Sequence, residues 1–216
     1  MRELGGYMTN DGEITQWKRF IRSSHIINLS DNDIDFLYNY GVRTVVDLRG
    51  ESEITESPSA LSQSEGILYR NIPFTDDYTY FGDINYCPLH HIVPAMKREH
   101  RVCEILTEFA NAPKGGIIFN CSAGKDRTGI IAVLLLLLAN VPIEDIVADY
   151  QVTYTYSEKM DRDVDLYRTE PEWIVPFINF VLEHGGITEY LIKQNMRMAD
   201  IKILKERLIH QYEREN

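Results

Sequence analysis

Apolar and polar positions along this chain switch between a helical period and runs suited to strands, and the switches outline its elements. Ile34, Leu37 and Tyr38 share one face of a helix that opens at Ser30, carries Asp33 in the capping-box position and stops at Gly41. That helix feeds an apolar run, Val42, Val45, Val46 and Leu48, which suits a strand covered on both faces. ESPSALSQSEG then reads as loop, and ILYRNIPF as a second strand that Pro73 ends or pushes to an edge. Val102, Ile105, Leu106 and Phe109 fall at helical spacing and predict a helix over 95–110, after which Pro113, Gly115 and Gly116 turn the chain. A short strand, Ile117 to Phe119, is followed by a long apolar helix predicted from Thr128 onward.

Pro142 starts a further helix with Ile143, Ile146, Val147 and Tyr150 at helical spacing. The tyrosine-rich, charge-alternating region within 150–175 reads as a helical lid, a substrate rim or a solvated helix. Pro171 and Glu172 open another helix, bearing Trp173, Ile174, Phe177 and Val181, and Gly185 with Gly186 stops it. Two more helices, about 188–194 and 197–213, end the chain. Near the N-terminus, Asn10, Asp11 and Gly12 separate two strand-like runs and predict a hairpin. Strands alternating with amphipathic helices imply an α/β fold with a mostly parallel central sheet flanked by helices, in one domain spanning 1–216. In such sheets ligands sit beyond the carboxyl ends of the strands, so the site is expected after Phe119.

Composition narrows the function classes. With 44% hydrophobic and 25% charged residues among 216, the chain has the makings of a real core and is not a disordered segment. A net charge of -11 argues against nucleic acid as a partner and requires any phosphorylated substrate to be held by a local positive site. The three cysteines, Cys87, Cys103 and Cys121, show no zinc-type spacing, and free thiols are expected. His90 and His91 are adjacent and face different ways, so they suggest no metal. The run LLLLLA falls short of the roughly 20 residues of a membrane span, so no stable membrane insertion is expected. No apolar signal region precedes the first elements; a cytoplasmic monomer is expected, with export of a processed form left open.

The chemistry concentrates in CSAGKDRT, between the strand and the apolar helix. A loop over a helix N-terminus points its backbone N–H groups at one spot, and the helix dipole favours an anion there. The amides of Ser122, Ala123, Gly124 and Lys125 would form the cradle. Cys121 opens it and Arg127 closes it six positions later, so a thiol and a five-donor fork face the same anion. Thiols beside a helix N-terminus and a cation are commonly thiolates at neutral pH, hence nucleophiles. Thr128 is placed to hydrogen-bond the thiolate and help it leave. Two rival motifs fail: a Walker A loop needs Gly where Phe119 stands and Ser or Thr where Asp126 stands, and a serine elbow needs Gly where Asn120 stands.

CSAGKDRT resembles the CX5R signature of cysteine-dependent phosphatases, above all the atypical bacterial tyrosine phosphatases that also act on phosphoinositides. RELGGYMTNDGEI, RSSHIINLSDNDIDFLYNYGVRTVVDLRGESE and GGITEYLI match that family's order of motifs, so the resemblance covers nearly the whole chain. It implies a cysteine-phosphatase-like fold, no cofactor or metal, and hydrolysis of phosphotyrosine and phosphoinositides, with phosphoserine or phosphothreonine further candidates, through a phosphocysteine on Cys121. Arg127 would hold the developing charge. Asp126 is the first candidate for the general acid, with Asp76 or Asp77 next; Asp126 could instead orient Arg127. Lys125 adds positive charge where a second phosphate of an inositol headgroup would sit. The chain departs from the family at Asn120, where His usually stands; an Asn there can still hydrogen-bond the loop backbone. Two other classes share the motif: a phosphate-binding pseudophosphatase without turnover, and a redox sensor using Cys121 with Cys87 or Cys103. Arg2 and Glu3 read as a solvated terminus, or, as the resemblance implies, as a structural element beside the loop; Arg22 with Ser23 and Ser24 reads as structural rather than catalytic.

Overall fold

The computed structural model describes residues 1–74, 101–158 and 169–209. Its elements are β1 (Arg2–Glu3), β2 (Phe20–Ser24), α1 (Asp31–Tyr40), β3 (Val42–Asp47), α2 (Glu51–Glu56), β4 (Leu68–Asn71), α3 (Val102–Asn111), β5 (Gly116–Cys121), α4 (Asp126–Leu138), α5 (Ile143–Glu158), α6 (Pro171–Glu183), α7 (Gly186–Lys193) and α8 (Met198–Leu208). The strands form one sheet in the order β1-β2-β5-β3-β4, parallel throughout except for the β1–β2 pair. This is the α/β architecture expected, with the last strand in sequence at the centre.

Every residue of β5 is buried, and the pleat sends alternate side chains to two different cores. Ile117, Phe119 and Cys121 enter the larger core with α3, α4 and the C-terminal helices, while Ile118 joins Val42, Val45, Leu37 and Leu61 on the α1 side. Ser24 pairs with Cys121, and Ser23 and Asp47 with Asn120, so β2, β5 and β3 all end at one edge.

Helix α4 is buried along its whole length, from Asp126 to Leu138. A helix apolar on all sides is stable only when every face is covered. Here β5 and β2 cover one side, and α5 and α7 pack on others. Burying a leucine fully is worth roughly 1.5–3 kcal/mol relative to leaving it exposed, so the run from Leu134 to Leu136 is a principal source of cohesion. Among the described residues no helix is long and apolar enough to cross a membrane.

Two boundaries shift at the site. The strand extends to include Cys121, and the helix begins at Asp126 rather than Thr128, leaving Ser122–Lys125 as the connecting loop. The reason is local: Lys125 O accepts from Gly129 N at 2.7 Å, a full helical bond that draws Asp126 and Arg127 into the first turn.

Elsewhere the expected signals operate as written. Ser30 Oγ accepts from Asp33 N at 3.3 Å while the Asp33 carboxylate accepts from Ser30 N at 2.9 Å, closing the capping box. The hairpin at Asn10–Gly12 forms, with a Met8–Ile14 bridge, Thr9 N donating to Glu13 O and Thr15 N to Tyr7 O at 2.9 Å each, and Gly12 N to Thr9 O at 3.0 Å. Helix α3 starts at Val102, and the predicted residues 95–100 lie outside the described ones. Helix α5 runs through Glu158 and so absorbs the start of the expected lid; 159–168 lie outside the described residues, as do Asp76, Asp77, Cys87, His90 and His91. Gly186 begins α7 directly, two positions before the predicted start, and α8 ends at Leu208.

Candidate active site

Cys121 lies at the carboxyl end of the central strand, buried, with the N-terminus of the buried helix α4 opening at Asp126. Gly124 makes the turn between them possible. Its φ is +67°, a conformation costly for any residue with a Cβ, and a Cβ there would lie 2.6 Å from Ser23 O and Ser24 N. Gly124→Ala is therefore expected to lower the unfolding free energy by about 1–3 kcal/mol and to weaken phosphate binding. Gly12→Ala shares the positive φ but has no atom within 4 Å, so comparing the two thermal melts isolates the close approach from the backbone strain.

Arg127 is held by a carboxylate from α2, the short helix after β3. Glu53 Oε2 accepts from Arg127 Nη1 at 2.6 Å and Glu53 Oε1 from Arg127 Nη2 at 2.9 Å, a fork-to-fork pair. Ser122 Oγ also donates to Glu53 Oε1, and Gly50 N donates to Glu53 Oε2 at 2.9 Å. Burial pushes the Glu53 carboxyl up, but the bonds and charge of Arg127, aided by Ser122 and Gly50, outweigh it and bring it down to about 2. Glu53 thus ties the loop's first turn to its closing arginine. The signal for this was topological: Glu53 comes just after β3, which ends beside β5, and parallel neighbours deliver their trailing segments to the same edge. Asp47 and Arg49, nearer the end of β3, pair with each other at 2.8 Å.

Lys125 and Asp126 face each other inside the protein. Lys125 is 1% exposed, its Nζ lies 3.6 Å from Asp126 Oδ1 and 5.2 Å from the centre of the Trp173 ring, and Tyr150 OH donates to Asp126 Oδ1 at 3.4 Å. Trp173 and Tyr150 were read from the sequence as helix-face residues; α6 and α5 bring both to the loop.

The back of the loop is held from β2. Arg22 Nη2 donates to Gly124 O at 3.0 Å and to Lys125 O at 3.4 Å. His25 Nδ1 lies 2.8 Å from Ser122 O and His25 N donates to the same oxygen at 3.3 Å. Arg22 is paired in turn with the buried Asp149, which also takes Arg2 Nε at 3.1 Å and Tyr7 OH at 3.1 Å. Burial pushes the Asp149 carboxyl up, and the charges of Arg22 and Arg2 more than reverse that. Arg22 is structural, as expected; Arg2 takes the structural one of its two expected roles rather than that of a solvated terminus, and their common carboxylate was not foreseen.

Two expectations for flanking side chains differ from what is found. Asn120 does not bond the loop backbone: neither Nδ2 nor Oδ1 has a hydrogen-bond partner among the described residues. The pleat is the cause, since Asn120 alternates with Cys121 and points to the opposite face of β5. Thr128 Oγ1, in the first turn of α4, likewise makes no hydrogen bond among the described residues, to the thiol or otherwise. Cys103 and Cys121 are free thiols. Cys103 lies against Leu191 O, and burial pushes its thiol up to about 11, unlike a thiol poised to resolve an oxidised partner. No cluster of three or more His, Cys, Asp or Glu able to hold a metal occurs among the described residues.

The profile of the tyrosine phosphatase family matches residues 1–210, nearly the whole chain. The chain belongs to that family. A tyrosine-protein phosphatase of Nostoc commune is 33% identical over 158 residues, 68% of this chain and 52% of that protein. A putative tyrosine-protein phosphatase of Cupriavidus necator is 29% identical over 161 residues, 69% of this chain and 58% of that one. The matched stretch thus spans little more than half the length of these relatives. Among solved structures, TpbA of P. aeruginosa in complex with phosphotyrosine overlaps 87% of this chain and 83% of its own, at 15% identity and a TM-score of 0.42.

Proposed function

We propose that the chain is a phosphomonoester hydrolase acting on phosphotyrosine and on phosphoinositides through a phosphocysteine. One observation supports this above others: Cys121 ends the central strand where the buried helix α4 begins, with Arg127 one loop away and oriented by Glu53. In the first step Cys121 Sγ attacks phosphorus, the bond from phosphorus to the leaving oxygen breaks, and Asp126 gives that oxygen a proton. In the second, water attacks the phosphocysteine, Asp126 takes a proton back, and inorganic phosphate leaves with the thiolate restored. The loop amides and Arg127 hold the charge that spreads over the equatorial oxygens in both.

Asp126 and Lys125 are where this reading is most exposed to test. If Asp126 is the proton donor, Asp126→Asn slows alkyl phosphates, whose leaving oxygen needs a proton, by about 100-fold or more, while an activated aryl phosphate slows far less. Equal slowing of both would leave Asp126 as an orienting group. Lys125 supports the lipid substrate by its charge, although its ammonium lies against Asp126 and Trp173. Lys125→Ala is expected to reduce turnover of multiply phosphorylated inositides more than that of a phosphotyrosine peptide, both assayed with EDTA present. An unchanged ratio would remove the inositides from the proposed substrates. A chain that binds phosphate tightly and turns over none of these compounds would be a pseudophosphatase.

A further inference from the structure

We infer that Asp149 is a positioning residue for the phosphate loop, acting through Arg22 to turn the loop's amides toward the anion. The inference deepens the phosphatase reading and rests on it for its kinetic consequence. Its basis is the geometry of the peptide unit, in which a trans, planar C=O and the next N–H point in opposite directions. Arg22 Nη2 draws Gly124 O toward β2 at 3.0 Å and adds a second, longer contact of 3.4 Å to Lys125 O, which already accepts from Gly129 N. The N–H of Lys125 is thereby directed away from β2, while that of Asp126 is set by the helical bond from Gly129 N to Lys125 O. His25, bonded twice to Ser122 O, does the same for the N–H of Ala123. A cradle for phosphate is a set of amides aimed at one point, and here the aim is set from behind by the carbonyls.

Arg22 can hold this position only because its charge is matched. It is 1% exposed, and a buried guanidinium without a partner is strongly unfavourable. Asp149, on α5, reaches Arg22 Nη1 with one carboxylate oxygen and the Arg2 guanidinium with the other. Arg2 is secured further by Thr153 Oγ1 at 2.9 Å, so α5 and the N-terminal segment together brace Asp149. The chain from Arg2 through Asp149 and Arg22 to Gly124 consists of charged or charge-assisted hydrogen bonds, the strong kind, and it ends on the loop backbone.

The test uses Asp149→Asn, which keeps shape and removes charge, and Arg22→Lys, which keeps charge but cannot span carboxylate and carbonyls together. Asp149→Glu serves as the conservative rescue. The readouts are the rate of Cys121 alkylation by iodoacetamide as a function of pH, followed on its own peptide by mass spectrometry, and the protection that inorganic phosphate gives against it. All are taken where thermal melts show each variant folded. Misaimed amides hold phosphate and thiolate less well. Asp149→Asn and Arg22→Lys should therefore weaken phosphate protection by roughly 10- to 100-fold and move the alkylation midpoint to higher pH. Asp149→Glu should restore most of both. If the two variants melt earlier but keep wild-type protection and midpoint, Asp149 is merely structural and the inference is overturned. Should Asp149→Asn fail to fold, Arg22→Lys decides alone by the same two readouts. A wild-type chain that shows no turnover, with phosphate protection still tracking the variants, would refute the phosphatase reading and leave the positioning role standing.

Discussion

Cys121→Ser is expected to abolish turnover of every phosphomonoester while leaving inorganic phosphate binding largely intact. A serine hydroxyl is a far poorer nucleophile than a thiolate at neutral pH, and loss of a covalent nucleophile costs on the order of 10⁶-fold in kcat. The cradle, by contrast, is made of backbone held by Arg22 and His25 and of the Arg127 guanidinium held by Glu53, none of which involves the Cys121 sulfur. The two halves of the prediction are measured separately, turnover with an aryl phosphate and binding by calorimetry with inorganic phosphate. Residual turnover near wild type would end the cysteine mechanism. Loss of both would mean that the thiol shapes the site.

Arg127→Lys is expected to be almost as damaging as removing the side chain, lowering kcat by on the order of 10²–10³-fold. Arg127 offers a planar fork, and the distances of 2.6 and 2.9 Å to the two Glu53 oxygens show that the fork's geometry is in use. Lysine brings a point charge that cannot keep both Glu53 oxygens and the phosphoryl oxygens in line. Glu53, 19% exposed at its side chain, would then be left with a weaker partner at the edge of the site. Steady-state kinetics of the folded variant decides the matter: a loss of less than about tenfold would make Arg127 an anchor for Glu53 and no more.

Much of the fold was legible because the strongest signals are local. Ser30 with Asp33, Gly41 after Tyr40, and Pro171 ahead of Trp173 each act within a turn of the chain, and each marks its boundary to within a residue or two. The candidate loop was legible for the same reason, since Cys121, Gly124, Lys125 and Arg127 are neighbours in sequence. What could not be read was supplied by other elements. Glu53 arrives from α2, just after β3, Arg22 and His25 from β2 and the segment after it, Asp149 from α5 and Trp173 from α6. Their roles depend on strand order, and strand order is a tertiary fact: placing β5 between β2 and β3 is what makes three chain segments converge. The two-residue shift at Asp126 has a different origin. Lys125 and Asp126 look like loop residues by composition, and only the bond from Gly129 N to Lys125 O reveals that the helix has begun.

The buried setting of β5 and α4 bears on how this domain would lose activity. Amides in fully buried central strands and helices exchange with solvent only when the whole domain opens, whereas edges and termini open at far lower cost. Ser122–Lys125 is strung between two such segments, from Cys121 to Asp126, and so is anchored at both ends in the last parts to melt. Partial opening under heat or denaturant would strip away α8 while Ser122–Lys125 stayed in place. Deuterium uptake in Ile117–Phe119 and Ile130–Leu138 would accordingly set the clock for irreversible inactivation, and substitutions that tighten the packing of β5 and α4, rather than of the periphery, would lengthen the domain's life.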